Sequence, residues 1–196
     1  MSWITPLYLT LFLLINDSKP VEEFKLDILH NGTSVGVVKA SKTINGEETT
    51  YLNLTNIKMR IIGEIEVSYR TQVTFKNGEL ESSKANMTLN GNPYSESITK
   101  RVGNTYQFYK DGKLKSTING TIKYSSALLI YGEPKGFIAA YSEETGSFHT
   151  IEKSRENVYE KVNSRGRKTI YHYQNQALKS LNMDVGIVEF EMIPKD

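Results

Sequence analysis

Between Glu64 and Lys76 the chain alternates with a period of two. Ile65, Val67, Tyr69, Val73 and Phe75 take the odd positions; Glu64, Glu66, Ser68, Arg70, Gln72, Thr74 and Lys76 take the even ones. Successive side chains of a strand point to opposite faces, so this run predicts a strand with its odd residues in a core and its even residues in water. Phe24, Leu26 and Ile28 repeat the pattern, as do Ala85, Met87 and Leu89, and later Val188, Phe190 and Met192. From Tyr51 to Ile62 the phase changes: Leu52 and Leu54 are even, whereas Ile57, Met59 and Ile61 are odd. A β-bulge near Thr55-Asn56 would produce such a switch, and bulges bend strands so that sheets curl.

Turn chemistry punctuates the alternating runs. Asn-Gly stands at Asn31-Gly32, Asn45-Gly46, Asn77-Gly78, Asn90-Gly91 and Asn119-Gly120, and Asp-Gly at Asp111-Gly112. A two-residue type I′ turn needs positive φ at both central positions, which Asn or Asp followed by Gly adopts at least cost. These pairs therefore predict hairpins. One segment departs from the pattern: Ser125-Ser126 precede Ala127, Leu128, Leu129, Ile130 and Tyr131, with Gly132 and Pro134 beyond. Serine before an apolar run, then glycine and proline after it, predicts one to two helical turns. Further strands are expected over Gly136–Ser142, Phe148–Lys153, Asn157–Val162, Lys168–Gln174, Leu178–Asp184 and Ile187–Ile193. The expected fold is all-β and mainly antiparallel: a strongly curved meander sheet or open half-barrel, with one short helix across its concave face.

Composition narrows the function classes. The chain has 196 residues, 38% hydrophobic and 23% charged, which suits one globular domain. A formal net charge of +2 gives no reason to expect nucleic acid as a partner. There is no cysteine, so a disulfide framework, a thiol nucleophile and a CxxC zinc site are excluded. At the start, Trp3 to Ile15 is an uncharged run of 13 residues, closed by Asn16, Asp17, Ser18, Lys19 and Pro20. That is shorter than the roughly 20 residues a membrane span needs and suits the apolar region of a secretory signal peptide. Residues 1–18 are thus expected to be a signal peptide and 19–196 a single β domain without a transmembrane span. A buried first strand or helix is the alternative for the apolar run.

Three stretches carry a resemblance: FKLDILHNGTSVGVVKA (Phe24 to Ala40), SYRTQVTFKNGELESS (Ser68 to Ser83) and IKYSSALLIYGEPKGFIAAYSEETGSFHTI (Ile122 to Ile151). Tyr171, Tyr173 and the last strand through Phe190 fit it as well. With these the chain resembles a family of uncharacterised exported β-sheet proteins of Gram-negative bacteria, known only as a domain of unknown function. The resemblance implies an extracytoplasmic location and a curved antiparallel sheet, similar in outline to periplasmic lipoprotein-carrier folds. It implies no activity and no catalytic residues.

Candidate chemistry is sparse. His149 follows Glu143 and Glu144 across Gly146, so carboxylates and an imidazole share one hairpin, as zinc binding or acid–base chemistry would require. The plain reading is a solvated hairpin tip. His172 sits between Tyr171 and Tyr173 on a strand, at the surface or the core edge. No nucleophile elbow, phosphate loop or EF-hand loop is present, and no cofactor or metal is expected. Lys161, Arg165, Arg167 and Lys168 form a basic tip that could touch an anion or simply be solvated. The candidate ligand site is the apolar segment and its surroundings, Tyr124, Leu128, Leu129, Tyr131, Glu133 and Tyr141, either gating a groove in the curled sheet or filling it as core. The functional expectation is a non-catalytic cell-envelope protein that binds a lipid-like or other apolar ligand. The alternative is a structural or interaction module for another envelope protein, and the third reading is a hydrolase or metal enzyme centred on His149.

Overall fold

The computed structural model describes residues 21–60, 63–186 and 188–195. The expected signal peptide lies outside the described residues, as do Ile61, Ile62 and Ile187. Fourteen strands form one sheet. The first arm holds β1 (Glu22–His30), β2 (Thr33–Asn45), β3 (Glu48–Arg60), β4 (Glu64–Lys76), β5 (Glu79–Leu89), β6 (Asn92–Val102), β7 (Thr105–Lys110) and β8 (Lys113–Asn119). The second arm holds β9 (Ala139–Ser142), β10 (Ser147–Arg155), β11 (Val158–Val162), β12 (Lys168–Gln174), β13 (Ala177–Asp184) and β14 (Glu189–Lys195). Strand order is β8-β7-β6-β5-β4-β3-β2-β1-β14-β13-β12-β11-β10-β9. Each arm is a meander of neighbouring antiparallel strands, and the arms join where β1 pairs with β14. The chain crosses from the β8 edge to the β9 edge through residues 120–138, which carry a 3-10 helix at Ser126–Ile130.

Four of the six turn dipeptides are the two central residues of hairpins. Asn31, Asn77, Asn90 and Asp111 take φ of 49 to 52° and their glycines 74 to 77°. The other two work differently. Asn45 pairs with Glu48, so the turn centres on Gly46-Glu47, and Asn119 ends β8 at the crossing. Asn175-Gln176 makes a further turn of the same kind, at φ of 51 and 69° and without glycine.

The expected bulge at Thr55-Asn56 is absent: β3 pairs with β2 and β4 in unbroken register. Its odd residues face inward throughout; of the polar ones, Thr49, Asn53 and Thr55, Asn53 donates its side-chain N–H to Ala127 O at 3.1 Å. Leu52 and Leu54 lie on the outer face. The curvature comes from elsewhere. Six hairpins shift register beside their turns, each leaving one extra residue such as Val35, Glu81 or Lys179. A bulge of this kind increases local twist and bends its strand.

The interior holds two apolar clusters. The larger gathers Leu26, Ile28, Ile57, Leu129, Tyr171 and Phe190 with their neighbours; the smaller gathers Val73, Phe75, Leu80, Tyr106, Ile122 and Tyr141. Val67 and Tyr69 are half-buried on the same face as Val73 and Phe75. Ala140 belongs to the first cluster and Tyr141 to the second, so both faces of β9 are covered. The sheet is rolled, with its β9 end tucked inside the β4–β7 wall. No ladder joins the two edges among the described residues.

Candidate functional site

The crossing segment is built into the concavity. Leu128 N–H donates to Ser125 O at 3.1 Å and Tyr131 N–H to Leu128 O at 2.9 Å, the i to i+3 pattern of a short 3-10 helix. Ser125 sits at its start in extended backbone and makes no side-chain cap. The capping role passes to Glu143, whose Oε1 accepts the Ala127 N–H at 3.1 Å. Ser125 also bridges to Tyr141, with Tyr141 N–H donating to Tyr124 O at 3.0 Å.

The six candidate residues surround this segment. Leu129 and Tyr141 have no exposed surface. Tyr173 donates its hydroxyl to Leu129 O at 2.7 Å, tying the segment to β12. The Tyr131 hydroxyl has Asn53 Oδ1 at 2.7 Å and Ser41 O at 2.9 Å, and its ring meets Phe24 and Tyr51 edge-on. Glu133 accepts the Tyr159 hydroxyl at 2.9 Å and pairs with Lys135 at 3.4 Å. Tyr124 is half-buried and stacks on Phe137 with ring centroids 4.3 Å apart. Leu128 packs against the smaller cluster. Burial raises the hydroxyl pKa of Tyr124, Tyr131 and Tyr173, and that of Tyr141 to about 12, so all four stay protonated donors. The segment is thus seated by both arms of the sheet.

Sequence reasoning missed the polar character of the rolled seam. Glu144 is exposed as a hairpin-tip glutamate should be, but Glu143 is buried at 4% exposure. Burial pushes its carboxyl up from the ordinary value, against the opposing pull of the Ser125 hydroxyl, its own N–H, the Ala127 N–H and the Lys161 charge. Lys161 lies on β11 opposite Ile151 and Thr169, both buried, so it points inward and is not part of the basic tip. Ser83, Ser97 and Ser126 keep buried hydroxyls without hydrogen-bond partners among the described residues; the Ser125 hydroxyl faces Glu143 without a well-aligned bond. The Tyr141 hydroxyl and Thr99 Oγ1 lie 2.7 Å apart across the seam. At the β9–β10 turn, Gly146 (φ 67°) rests on the Phe108 ring with no room for a Cβ.

His149 is buried on β10, opposite Ala140. Its Nε2 lies 3.3 Å from Thr145 Oγ1 and its Nδ1 has no partner among the described residues. Burial, then the nearby Lys161 charge, lowers its pKa to about 4, so the imidazole is neutral at pH 7. No hydrogen bond joins His149 to Glu143 or Ser125 among the described residues, and no group of three or more His, Asp or Glu gathers there in a way that could hold a metal ion. His172 is half-buried on the outer face of β12. At the other candidate, Arg167 donates to Val185 O at 2.9 Å and Lys168 pairs with Glu160 at 2.7 Å. This tip overhangs an outer groove of about 600 Å³ lined by Leu29, Arg165, Ile170, Asn182 and Glu191 among others. No helix of the described residues is long and apolar enough to cross a membrane.

No curated protein matches the chain. Among solved structures it is similar to the crystal structure of a β-barrel-like protein of the domain of unknown function DUF1849 from Brucella abortus. The TM-score is 0.54 at 9% identity, over 89% of this chain and 95% of that one, a likeness of fold alone. The profile of the domain of unknown function DUF6134 matches residues 26–195, most of the rolled sheet, and the chain belongs to that family.

Proposed function

We propose that this protein is a non-catalytic module of the cell envelope that works through its outer surface and hairpin ends on another envelope protein. Export is supported by the uncharged run Trp3–Ile15 and the polar stretch that closes it. The observation that carries the surface reading is the occupied concavity. Leu129 is fully buried in the larger cluster, and the hydroxyls of Tyr131 and Tyr173 hold the segment's backbone and its surroundings. Such an interior supports the outside of the sheet and leaves the ligand role to exposed groups.

A second reading keeps the segment as a gate over a lipid-like ligand. It is favoured by the exposed apolar residues Phe137 (37%) and Ile138 (81%) that follow the segment at the same end of the roll. Leu129→Glu separates the two. As plain core, Leu129 cannot accept a charge without several kcal/mol of loss against a total stability of about 5–15 kcal/mol, so the variant should lose its thermal transition by circular dichroism. A variant that keeps its β signal and thermal midpoint would favour the gate.

A further inference from the structure

Among the described residues, the rolled sheet closes on itself without a β-ladder. Its inner edge is fastened to the crossing segment by one backbone bond, Tyr141 N–H to Tyr124 O at 3.0 Å, and to that segment and the β4–β7 wall by a few side-chain contacts: Tyr141 to Thr99, Gly146 on Phe108, Lys110 Nζ to Glu144 O at 3.3 Å, and Ala127 N–H to Glu143. A closure of that kind opens at lower cost than the hydrogen-bonded body of the sheet. At its centre stands Glu143, on the β9–β10 turn, with its carboxyl turned inward onto the start of the 3-10 helix.

We propose that Glu143 is a pH-sensitive latch: its protonated carboxyl keeps the β9–β10 turn seated, and loss of the proton to solvent favours lifting the turn from the seam. The groups that act on it come from each packed element. Lys161 on β11 is the positive charge, Tyr69 on β4 and Tyr141 on β9 present phenols, and the crossing segment offers the Ser125 hydroxyl and the Ala127 N–H. His149 on β10 shares the Lys161 charge and is neutral over the working range. Lys161 is only half-buried, and the phenols cannot compensate a carboxylate charge. Ionisation therefore leaves a charge in the seam that opening would hydrate. Burial raises the carboxyl's pKa in the closed form, so the stabilisation is complete below the ordinary value and is lost as pH rises towards the raised one. This inference is independent of any ligand in the concavity.

Amide hydrogen exchange at 127–129 and 140–146, with intrinsic rates divided out, tests it on the full domain between pH 6.5 and pH 8.5, where His149 is largely neutral whether the turn is seated or lifted. Protection in the wild-type chain should fall with rising pH by up to about tenfold per unit. Glu143→Gln should hold it flat, and Glu144→Gln, at the exposed neighbour, should keep the wild-type slope. Should Glu143→Gln fail to fold, Lys161→Met provides the second arm, because removing the positive charge should carry the fall to higher pH. A flat wild-type profile, the same slope in Glu143→Gln, or no effect of Lys161→Met would overturn the latch.

Discussion

At the scale of single residues, the informative positions are those where burial and polarity conflict. Asn53 occupies an inward place between Ala40 and the buried Thr71, where it gives the crossing segment a donor for Ala127 O. Asn53 and Thr55, both polar on the inward face, account for the apparent phase switch in β3 without any bulge. Glu143 and His149 are likewise inside, where their charged forms are disfavoured. For His149 the sign is opposite to that of Glu143. Its pKa falls from 6.5 unfolded to about 4 folded, so its contribution is complete above the unfolded value and is lost as pH drops from about 6.5 towards 4. Glu143 acts in the opposite direction over the same window, so the test is a difference: from pH 6.5 to 4 the wild-type chain should lose more stability, or gain less, than His149→Gln, by on the order of 2 kcal/mol at the acid end, read from thermal midpoints. Parallel profiles would show that the imidazole is not the group responsible. None of this conflict was legible from spacing: a glutamate beside a glycine turn reads as solvated, and only the roll of the sheet over it makes it buried.

At the scale of elements, the turns carried most of the legible information. Asn-Gly and Asp-Gly located four hairpins, because few other pairs accept positive φ twice. The same rule overlooked Asn175-Gln176, which adopts that geometry with a residue ill suited to it, and it misplaced Asn45-Gly46 by one position. Gln176→Gly should relieve the left-handed strain and stabilise the domain by about 0.5–1 kcal/mol, read as a rise in the denaturation midpoint; its backbone carbonyl, which accepts the Glu133 N–H at 3.0 Å, is retained. A fall in the midpoint would mean that the side chain, and not the turn backbone, matters there. The short helix was also legible from its serine start and glycine-proline end, but not its 3-10 character or its cap. Those depend on Glu143 and Tyr141, which are distant in sequence and brought near only by the second arm of the sheet.

At the scale of the whole molecule, alternation and turns together announce a curved antiparallel sheet, but not how it closes. Closure depends on β9 tucking inside β4–β7 through small and polar wall residues such as Ser83, Ala85, Ser97 and Thr99, whose individual sequence signals are weak. The candidate site divides in the same way. The apolar residues from Leu128 to Tyr131 stood out in the sequence, whereas their seating on both arms required the fold. The central claim is that the concavity is filled by the chain itself and that the protein acts from its surface. Native mass spectrometry of the protein purified from its own cells tests this most directly. The account predicts a species with no lipid-sized adduct in its interior, and an adduct of lipid mass that vanishes in a folded Leu129→Glu variant would contradict it.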